Sequence, residues 1–268
     1  MFMQLFSIEW TRLTRRALPW FAFAACGAFI WLSLQHYYTQ NRTRLFDGSL
    51  TMPGASFDLA NSLDQLLLIA LPFIIFIAAV MLGSDYSQRT NQHWLMRGSR
   101  TKSLLAKFLV IALAILCLQF LVLVVGGLTG WYYKTFLFDA YSLANVNWSA
   151  AFAAALYMTL ATLPYAAFVL LVTVVTRSSF AGIAIGLGYT QFFELLLSGA
   201  FYRADWSKWM MRNLHFSVTH LLNSIGNKTV DIPAHRLDPV PALVALTVYT
   251  LIFLSLAAWF YRRQDVGG

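Results

Sequence analysis

Six apolar blocks alternate with polar segments along this chain of 268 residues. An α-helix rises 1.5 Å per residue, so about 20 apolar residues cross the ~30 Å hydrocarbon core of a bilayer. The blocks predict transmembrane helices at about residues 18–34, 66–82, 104–128, 150–175, 180–200 and 242–260. The pattern therefore predicts an all-α integral membrane protein, with one transmembrane domain over residues 1–268.

An amphipathic pattern precedes the first span. Apolar side chains recur at helical spacing at Phe2, Phe6, Trp10, Leu13 and Ala17. The charged residues Glu9, Arg12, Arg15 and Arg16 lie mostly off this stripe. Such a helix suits the membrane interface, so we expect an N-terminal interfacial helix over residues 2–17.

The segments between spans differ in character. Residues 35–64 predict a polar, relatively acidic loop, and residues 129–148 an aromatic connection at the interface. Spans four and five are separated by a tight turn, and we expect them to pack as a hairpin through small residues, Gly182, Gly186 and Gly188. In the outer segment 201–239, an apolar face opposite polar residues predicts a second interfacial or re-entrant helix. The residues of that face are Trp206, Trp209, Met210, Leu214, Val218, Leu221 and Leu222.

Composition excludes a soluble domain. Hydrophobic residues make up 59% of the chain and charged residues 11%, against about one quarter charged in soluble domains. The net charge of +8 comes from cations in short segments beside the spans, which encodes topology rather than nucleic-acid binding. Cys26 and Cys117 both lie inside apolar spans, where neither a disulfide nor a metal site follows.

Charge also orients the chain. Six spans place both termini on one side, and that side holds 11 of the 19 Lys and Arg residues in shorter segments than the other. Positive charge in short loops marks the cytoplasmic side. We therefore expect both termini, and the polar segment between spans two and three, to be cytoplasmic.

Motifs of known chemistry are missing from the sequence. It contains no GxxxxGK[ST] phosphate loop, no HExxH or GxSxG motif and no paired cysteines. The spacing of His215 and His220 fits the polar side of an amphipathic helix better than a metal site. We expect no enzyme activity, metal or cofactor in this chain, and an intramembrane enzyme would need converging groups that the spans lack.

One acid stands well inside a span. Glu194 has Gln191 one turn earlier, and a carboxylate in the bilayer costs about 2.5–3.5 kcal/mol, so it should face protein or water or be protonated. Both residues are candidates for a translocation path. Alternatively, Glu194 snorkels to the interface or pairs with Arg203. Gln119, in span three, is expected to form an interhelical hydrogen bond.

The polar segment 83–107 is flanked by two strongly hydrophobic blocks. It carries one acid, Asp85, against five cations: Arg89, Arg97, Arg100, Lys102 and Lys107. Its aromatic and long side chains are Tyr86, His93, Trp94 and Met96. These are types found at interaction hot spots, although a purely topological role is also open.

This arrangement resembles the permease subunits of ABC-2-type ATP-binding-cassette transporters. In that family an acid ends span two, a Gly-Thr pair and a short helix follow, and a small-residue/Arg turn leads to a lysine in span three. Here the corresponding positions are Gly83 and Asp85, Arg89-Thr90, residues 92–96, Ser99-Arg100 and Lys107. The sequence departs from the pattern at Asp85, where Glu is usual, at Arg89, where Gly is usual, and at Gly98, where Pro is common.

The resemblance implies a function. Residues 84–103 would form a cytoplasmic coupling helix seated on a separate ATPase subunit that binds ATP and Mg. Its contact residues would be Asp85, Arg89, Thr90, His93, Trp94, Arg97 and Arg100. The chain would be half of the membrane domain of an exporter in the inner (plasma) membrane of a bacterium, paired with a second permease copy or a similar permease. The alternative is a stand-alone membrane immunity, channel or anchoring protein that uses no ATPase.

Overall fold

The computed structural model describes residues 2–48, 50, 54–87, 100–138, 146–201, 204–226 and 236–264, and all regular secondary structure in these ranges is helical. The α-helices are α1 (Phe2–Thr14), α2 (Ala17–Gln40), α3 (Arg42–Phe46), α4 (Ala55–Ser87), α5 (Arg100–Phe138), α6 (Trp148–Thr176), α7 (Ser179–Leu187), α8 (Glu194–Ala200), α9 (Met211–Thr219) and α10 (Pro239–Arg263). A π-helix, Gly188–Phe193, joins α7 to α8. The 3₁₀ helices Asp205–Trp209 and His220–Gly226 flank α9.

Six helical stretches are long and apolar enough to cross a bilayer. They are Ala17–Gln40, Ile69–Tyr86, Arg100–Phe136, Trp148–Thr176, Ser179–Ala200 and Pro239–Arg263. Each contains one of the six spans predicted from hydropathy or overlaps most of it. The described residues are therefore all-α, as predicted, with six helices that could span a membrane.

Helix α6 lies at the centre of the bundle. It packs against α4, α5, α7 and α10, and 67% of its most apolar stretch is buried, compared with 22% in α10. Small residues on α6, such as Ala154, Ala161 and Ala166, are fully buried. Close approach of several helices to one small-residue surface is how membrane helices gain packing contacts.

Spans four and five form the predicted hairpin. Arg177, in the left-handed region at φ 55°, makes the turn between α6 and α7. A Cβ at Gly182 would lie 2.2 Å from Thr173 Oγ1, and one at Gly186 would lie 2.8 Å from Val169 Cγ2. Glycine at these two positions permits the close contact. Gly188 faces open space in the described part of the chain, so the prediction of a close contact there was wrong.

The predicted polar loop at 35–64 is largely helical instead. Helix α2 continues to Gln40, α3 follows, and α4 begins at Ala55, about three turns before the predicted span. Polar residues of this extension, such as Asp58 and Ser62, are buried against neighbouring helices. Polarity alone suggested a loop because it does not distinguish solvated residues from paired ones.

The outer segment contains a short helix, as predicted, but it is broken into three pieces over residues 204–226. Leu214 and Val218 of α9 are fully buried against α6 and α10. Trp206 and Trp209, which were expected to share that face, are half exposed. The segment therefore packs on the outer end of the bundle through α9 and the turns after it.

Candidate functional site

A cluster of four charged residues ties α1 to both flanks of the polar segment. The Lys107 ammonium lies 2.6 Å from Glu9 Oε1 and 2.9 Å from Asp85 Oδ2. Arg12 Nη1 lies 3.3 Å from each of the same two carboxylates. We call Glu9, Arg12, Asp85 and Lys107 the anchor cluster. Its two acids balance its two bases, so the fully buried Lys107 is paired with both carboxylates.

The helices explain the geometry of the anchor cluster. Asp85 is in the last turn of α4, Lys107 is two turns into α5, and Glu9 is in the middle of α1. Close by, Arg16 donates hydrogen bonds to Ser84 Oγ at 3.0 Å and to the Val80 carbonyl at 3.3 Å. A cation near the C-terminal end of a helix is favoured by the helix dipole.

A second group of contacts ties the segment's flanks to the end of α10. Arg100 donates to the Tyr261 carbonyl at 3.2 Å and to the Gln264 carbonyl. Tyr86 donates its hydroxyl to Gln264 Oε1 at 2.8 Å, and Gln264 Nε2 donates to the Val174 carbonyl of α6. We call Tyr86, Arg100 and Gln264 the C-terminal clasp. It satisfies helix-end carbonyl groups that have no partner within their own helix.

These contacts place several features at one end of the bundle. The anchor cluster brings the N-terminal helix there, and the C-terminal clasp brings the end of α10 and the end of α6. Residues 88–99 connect the two flanks. Both ends of the described chain and both flanks of the polar segment therefore lie together.

The predicted coupling residues divide into two groups. Asp85 and Arg100 are described, and each is engaged within the chain, in the anchor cluster and the C-terminal clasp respectively. The others lie outside the described residues: Arg89, Thr90, His93, Trp94 and Arg97. Glu9 and Gln264 were not among the predicted residues. For Glu9, the available signal was an acid inside an otherwise basic amphipathic helix.

Glu194 is buried in protein at the outer end of span five. It is 1% exposed, and its Oε1 accepts a hydrogen bond from the Arg212 backbone N–H at 2.6 Å. The buried Tyr165 of α6 also lies beside the carboxylate. Arg212 is in the first turn of α9, whose cap residue Met210 makes no side-chain cap, so Glu194 satisfies an otherwise unpaired donor. The carboxylate does not snorkel.

The backbone just before Glu194 is unusual. Residues Gly188–Phe193 form a π-helix, a geometry that often accompanies functional sites in membrane and soluble helices. Gln191 lies in this π-helix and is partly exposed, whereas Glu194 is buried. The two candidate path residues are therefore close in sequence but differ in environment. Arg203, the alternative partner of Glu194, lies outside the described residues.

The end of the bundle opposite the termini holds a second buried ion pair, which could not be recognised from the sequence. Lys134 of α5 pairs with Asp58 of α4, and Tyr38 donates its hydroxyl to Asp58 Oδ1 at 2.7 Å. The Tyr38 ring stacks on Tyr133 with 5.5 Å between centroids. Gly130 makes room, because a Cβ there would lie 2.1 Å from Asp58 Oδ2. This pair stabilises the helical extension of α4.

Three residues have buried side-chain polar atoms without a hydrogen-bond partner among the described residues: His215, Gln119 and Thr135. Both ring nitrogens of His215 in α9 are unpaired, and so is Oε1 of Gln119, which was expected to bond between helices. Burial, and then the Arg212 guanidinium, lower the pKa of His215 to about 3, so this imidazole is neutral. Within the described ranges, no three His, Cys, Asp or Glu side chains are placed to hold a metal ion.

The six apolar helices define a multi-pass membrane protein. The chain belongs to the family described as "Protein of unknown function (DUF2705)", which matches residues 32–267. The match covers all six spans except the first half of α2, and it includes the polar segment, Glu194 and α9. A search of curated proteins found no match to the sequence.

Proposed function

We propose that this chain is the membrane-spanning permease subunit of an ABC transporter, an exporter driven by a separate ATPase subunit that binds ATP and Mg. The observation that carries the proposal is the attachment of residues 88–99 at both flanks. The anchor cluster holds both flanks to α1, and the C-terminal clasp holds both flanks to α6 and α10.

The attachment has a mechanical consequence. A chain without a phosphate loop must receive the energy of ATP through a surface. A surface segment transmits a displacement only if it is fixed to the helices that must move. Here the segment is continuous with α4 and α5, and ion pairs and hydrogen bonds fix its flanks to three further helices. A partner that displaces the segment would shift these helices together as a rigid group.

Charge supports a cytoplasmic location for this end of the bundle. It holds 11 of the chain's 19 Lys and Arg residues, including Arg15, Arg177 and Arg262. In the inner membrane of a bacterium, this end would face the cytoplasm, where the ATPase resides. In helix α1, Phe6 and Trp10 pack on the core and Met3 is exposed. This helix would lie in the membrane interface, as the N-terminal connecting helix of such permeases.

The translocation pathway would form between this chain and a second permease copy or a similar permease. Spans one, five and six are the least buried, with 28%, 22% and 22% of their apolar stretches covered. Glu194 and Gln191 lie toward the outer end of span five, so we place them at the outer mouth of that pathway. There, Glu194 would act through α9, the helix whose N-terminus it binds.

Co-purification from the native membrane tests the proposal. The tagged full chain, extracted in a mild detergent, should carry an ABC ATPase in stoichiometric amount. The phenotype of deleting the chain's gene should match that of deleting the ATPase gene. A preparation without ATPase, together with full activity of the chain in cells that lack the ATPase, would instead establish a stand-alone membrane immunity, channel or anchoring protein.

A further inference from the structure

An apolar groove lies on the outer half of the bundle, between α4, α5 and α6. Its volume is about 470 Å³, within the ~300–1,000 Å³ range of small-molecule sites. All of its lining residues are aliphatic, aromatic or glycine, with Leu59, Val124, Gly127 and Phe152 along its walls. Apart from the N–H groups of two tryptophans at its rim, a site with such walls contacts its ligand through hydrocarbon.

Two tryptophans mark the depth of the groove in the membrane. Trp131 of α5 and Trp148 of α6 both line it, and each is nearly half exposed. Tryptophan concentrates where the acyl region meets the headgroups, because its ring is apolar and its N–H is polar. Trp148 is the first residue of α6, and Ala55, at the same groove, is the first residue of α4. The groove therefore begins at the interface and runs toward the acyl region.

We propose that this groove binds one acyl chain of a bilayer phospholipid. Val124 and Phe152 are more than half exposed, so the groove opens on the side of the bundle that faces lipid. The N-terminal ends of α4 and α6 lie beside the rim, and the partial positive charge of each helix dipole there complements the phosphate of the same lipid. The occupant is thus an amphiphile with an anionic head and an apolar tail, present in the membrane that surrounds the protein.

The groove adjoins the buried pair of Asp58 and Lys134. Leu59 follows Asp58 in α4, and Gly127 lies two turns before Lys134 in α5. An acyl chain in the groove would exclude water from this side of the ion pair. The lipid site is independent of the proposed transport function, because it rests on the cavity and its walls alone.

Photocrosslinking tests the site directly. The full chain is reconstituted in vesicles of a phosphatidylglycerol and phosphatidylethanolamine mixture that contains a trace of phospholipid with a diazirine on its acyl chain. After illumination, mass spectrometry maps the adducts. We expect adducts on groove residues of α5 and α6 several-fold above those on exposed apolar residues of the same two helices outside the groove, such as Leu105 and Val175.

Two glycine variants provide the matched comparison. A Cβ at Gly127 has ordinary contact with Leu59 Cδ2 at 3.6 Å, so Gly127→Leu fills the groove. Gly199 has nothing within 4 Å of its Cβ position, so Gly199→Leu adds the same side chain away from the groove. Groove adducts should fall several-fold in Gly127→Leu and stay at the wild-type level in Gly199→Leu.

If Gly127→Leu does not fold, a competition experiment on the wild type tests the site instead. In the wild type, excess unlabelled phospholipid should suppress the groove adducts, whereas glycerophosphocholine, which has no acyl chains, should not. Adducts spread evenly over the exposed residues of all spans would overturn the proposal, since the groove would then hold only bulk lipid. Crosslinks from the groove to a second copy of the chain would overturn it in favour of a protein interface.

Discussion

Lys107 Nζ lies 2.6 Å from Glu9 Oε1, although 98 residues separate them in the sequence. This contact fastens the N-terminal helix to the start of span three. The same ammonium also reaches Asp85, at the end of span two, so one lysine joins three helices. The helices that flank the polar segment are therefore held as a unit at this end of the bundle.

Breaking the anchor cluster should destabilise the protein. Lys107→Met leaves the carboxylates of Glu9 and Asp85 buried with only the partly exposed Arg12 between them, and removing one partner of a buried pair costs about 3–5 kcal/mol. Glu9→Gln together with Lys107→Met should cost less than the sum of the single changes. Thermal unfolding of the four proteins in one detergent measures the cycle.

The exposed pair Lys208 and Asp205 supplies the control for that cycle. Lys208→Met should change stability by no more than about 0.5 kcal/mol, as exposed pairs contribute little. Additive effects of Glu9→Gln and Lys107→Met would show that these two residues do not interact in the folded protein.

Gly130 is predicted to tolerate no side chain. Gly130→Ala would place a methyl group against Asp58 Oδ2 and displace the pair with Lys134, so the variant should be less stable by about 1–3 kcal/mol. Gly199→Ala has open space and should be neutral or slightly stabilising, since alanine favours a helix. Equal melting temperatures for the two variants would contradict the described packing of α4 on α5.

Replacing Glu194 should separate its structural role from a role in transport. Glu194→Gln keeps an acceptor for the Arg212 N–H, whereas Glu194→Ala leaves that donor unpaired at a cost of about 1–3 kcal/mol. The alanine variant should therefore melt lower than the glutamine variant. Asp205→Ala, at a fully exposed acid, is the control. Unchanged export by Glu194→Gln at every pH, with intact assembly, would remove Glu194 from the translocation path.

His215 should make stability depend on pH. Its pKa is lowered to about 3 in the folded protein, compared with about 6.5 when unfolded, so the unfolded chain binds the proton first as pH falls. Stability is then complete above about pH 6.5 and is lost toward pH 3, by at most about 1.4 kcal/mol per pH unit. His215→Phe should flatten this part of the profile.

Denaturation midpoints between pH 7 and pH 4 check the dependence on His215. The same replacement at the exposed His36 controls for loss of an imidazole in general. An identical slope in the wild type and His215→Phe would show that this histidine has a hydrogen-bond partner or is accessible to water when folded.

The six apolar helices could be predicted from the sequence, because a continuous run of apolar residues can be recognised without knowing which residues are in contact. The helical extension of α4 could not be predicted from the sequence. Asp58 suggested a loop there because its partner Lys134 is 76 residues away along the chain. The pairing of Glu9 with Lys107 could not be predicted either, because 98 residues separate the two in the sequence. Helical periodicity reports which face a residue occupies, but it does not report which distant residue meets that face.

The candidate coupling residues could likewise be predicted only in part. The residue types of the polar segment pointed to an interaction surface, and that interpretation depends on composition alone. The sequence did not reveal that Asp85 and Arg100 are bound within the chain, because their partners, Lys107 in α5 and Gln264 after α10, lie elsewhere in the sequence. These two residues are therefore better assigned to holding the segment than to contacting an ATPase.

The remaining candidates, Arg89 and Trp94, carry the prediction of direct contact. Loss of a hot-spot side chain costs about 2 kcal/mol or more, which corresponds to a roughly 30-fold weaker complex. Arg89→Glu should weaken ATPase binding further by reversing a charge. Neither variant should alter membrane insertion, since both lie in the polar segment outside the six spans.

The most direct test of the account is the amount of ATPase retained by Trp94→Ala during purification of the full chain in mild detergent. Trp206→Ala is the matched control, because Trp206 is 52% exposed at the opposite end of the bundle. We expect stoichiometric ATPase with the wild type and with Trp206→Ala. With Trp94→Ala, the amount of co-purified ATPase should fall at least tenfold at equal permease yield. Undiminished ATPase with both Trp94→Ala and Arg89→Glu would contradict the claim that the polar segment is the docking surface.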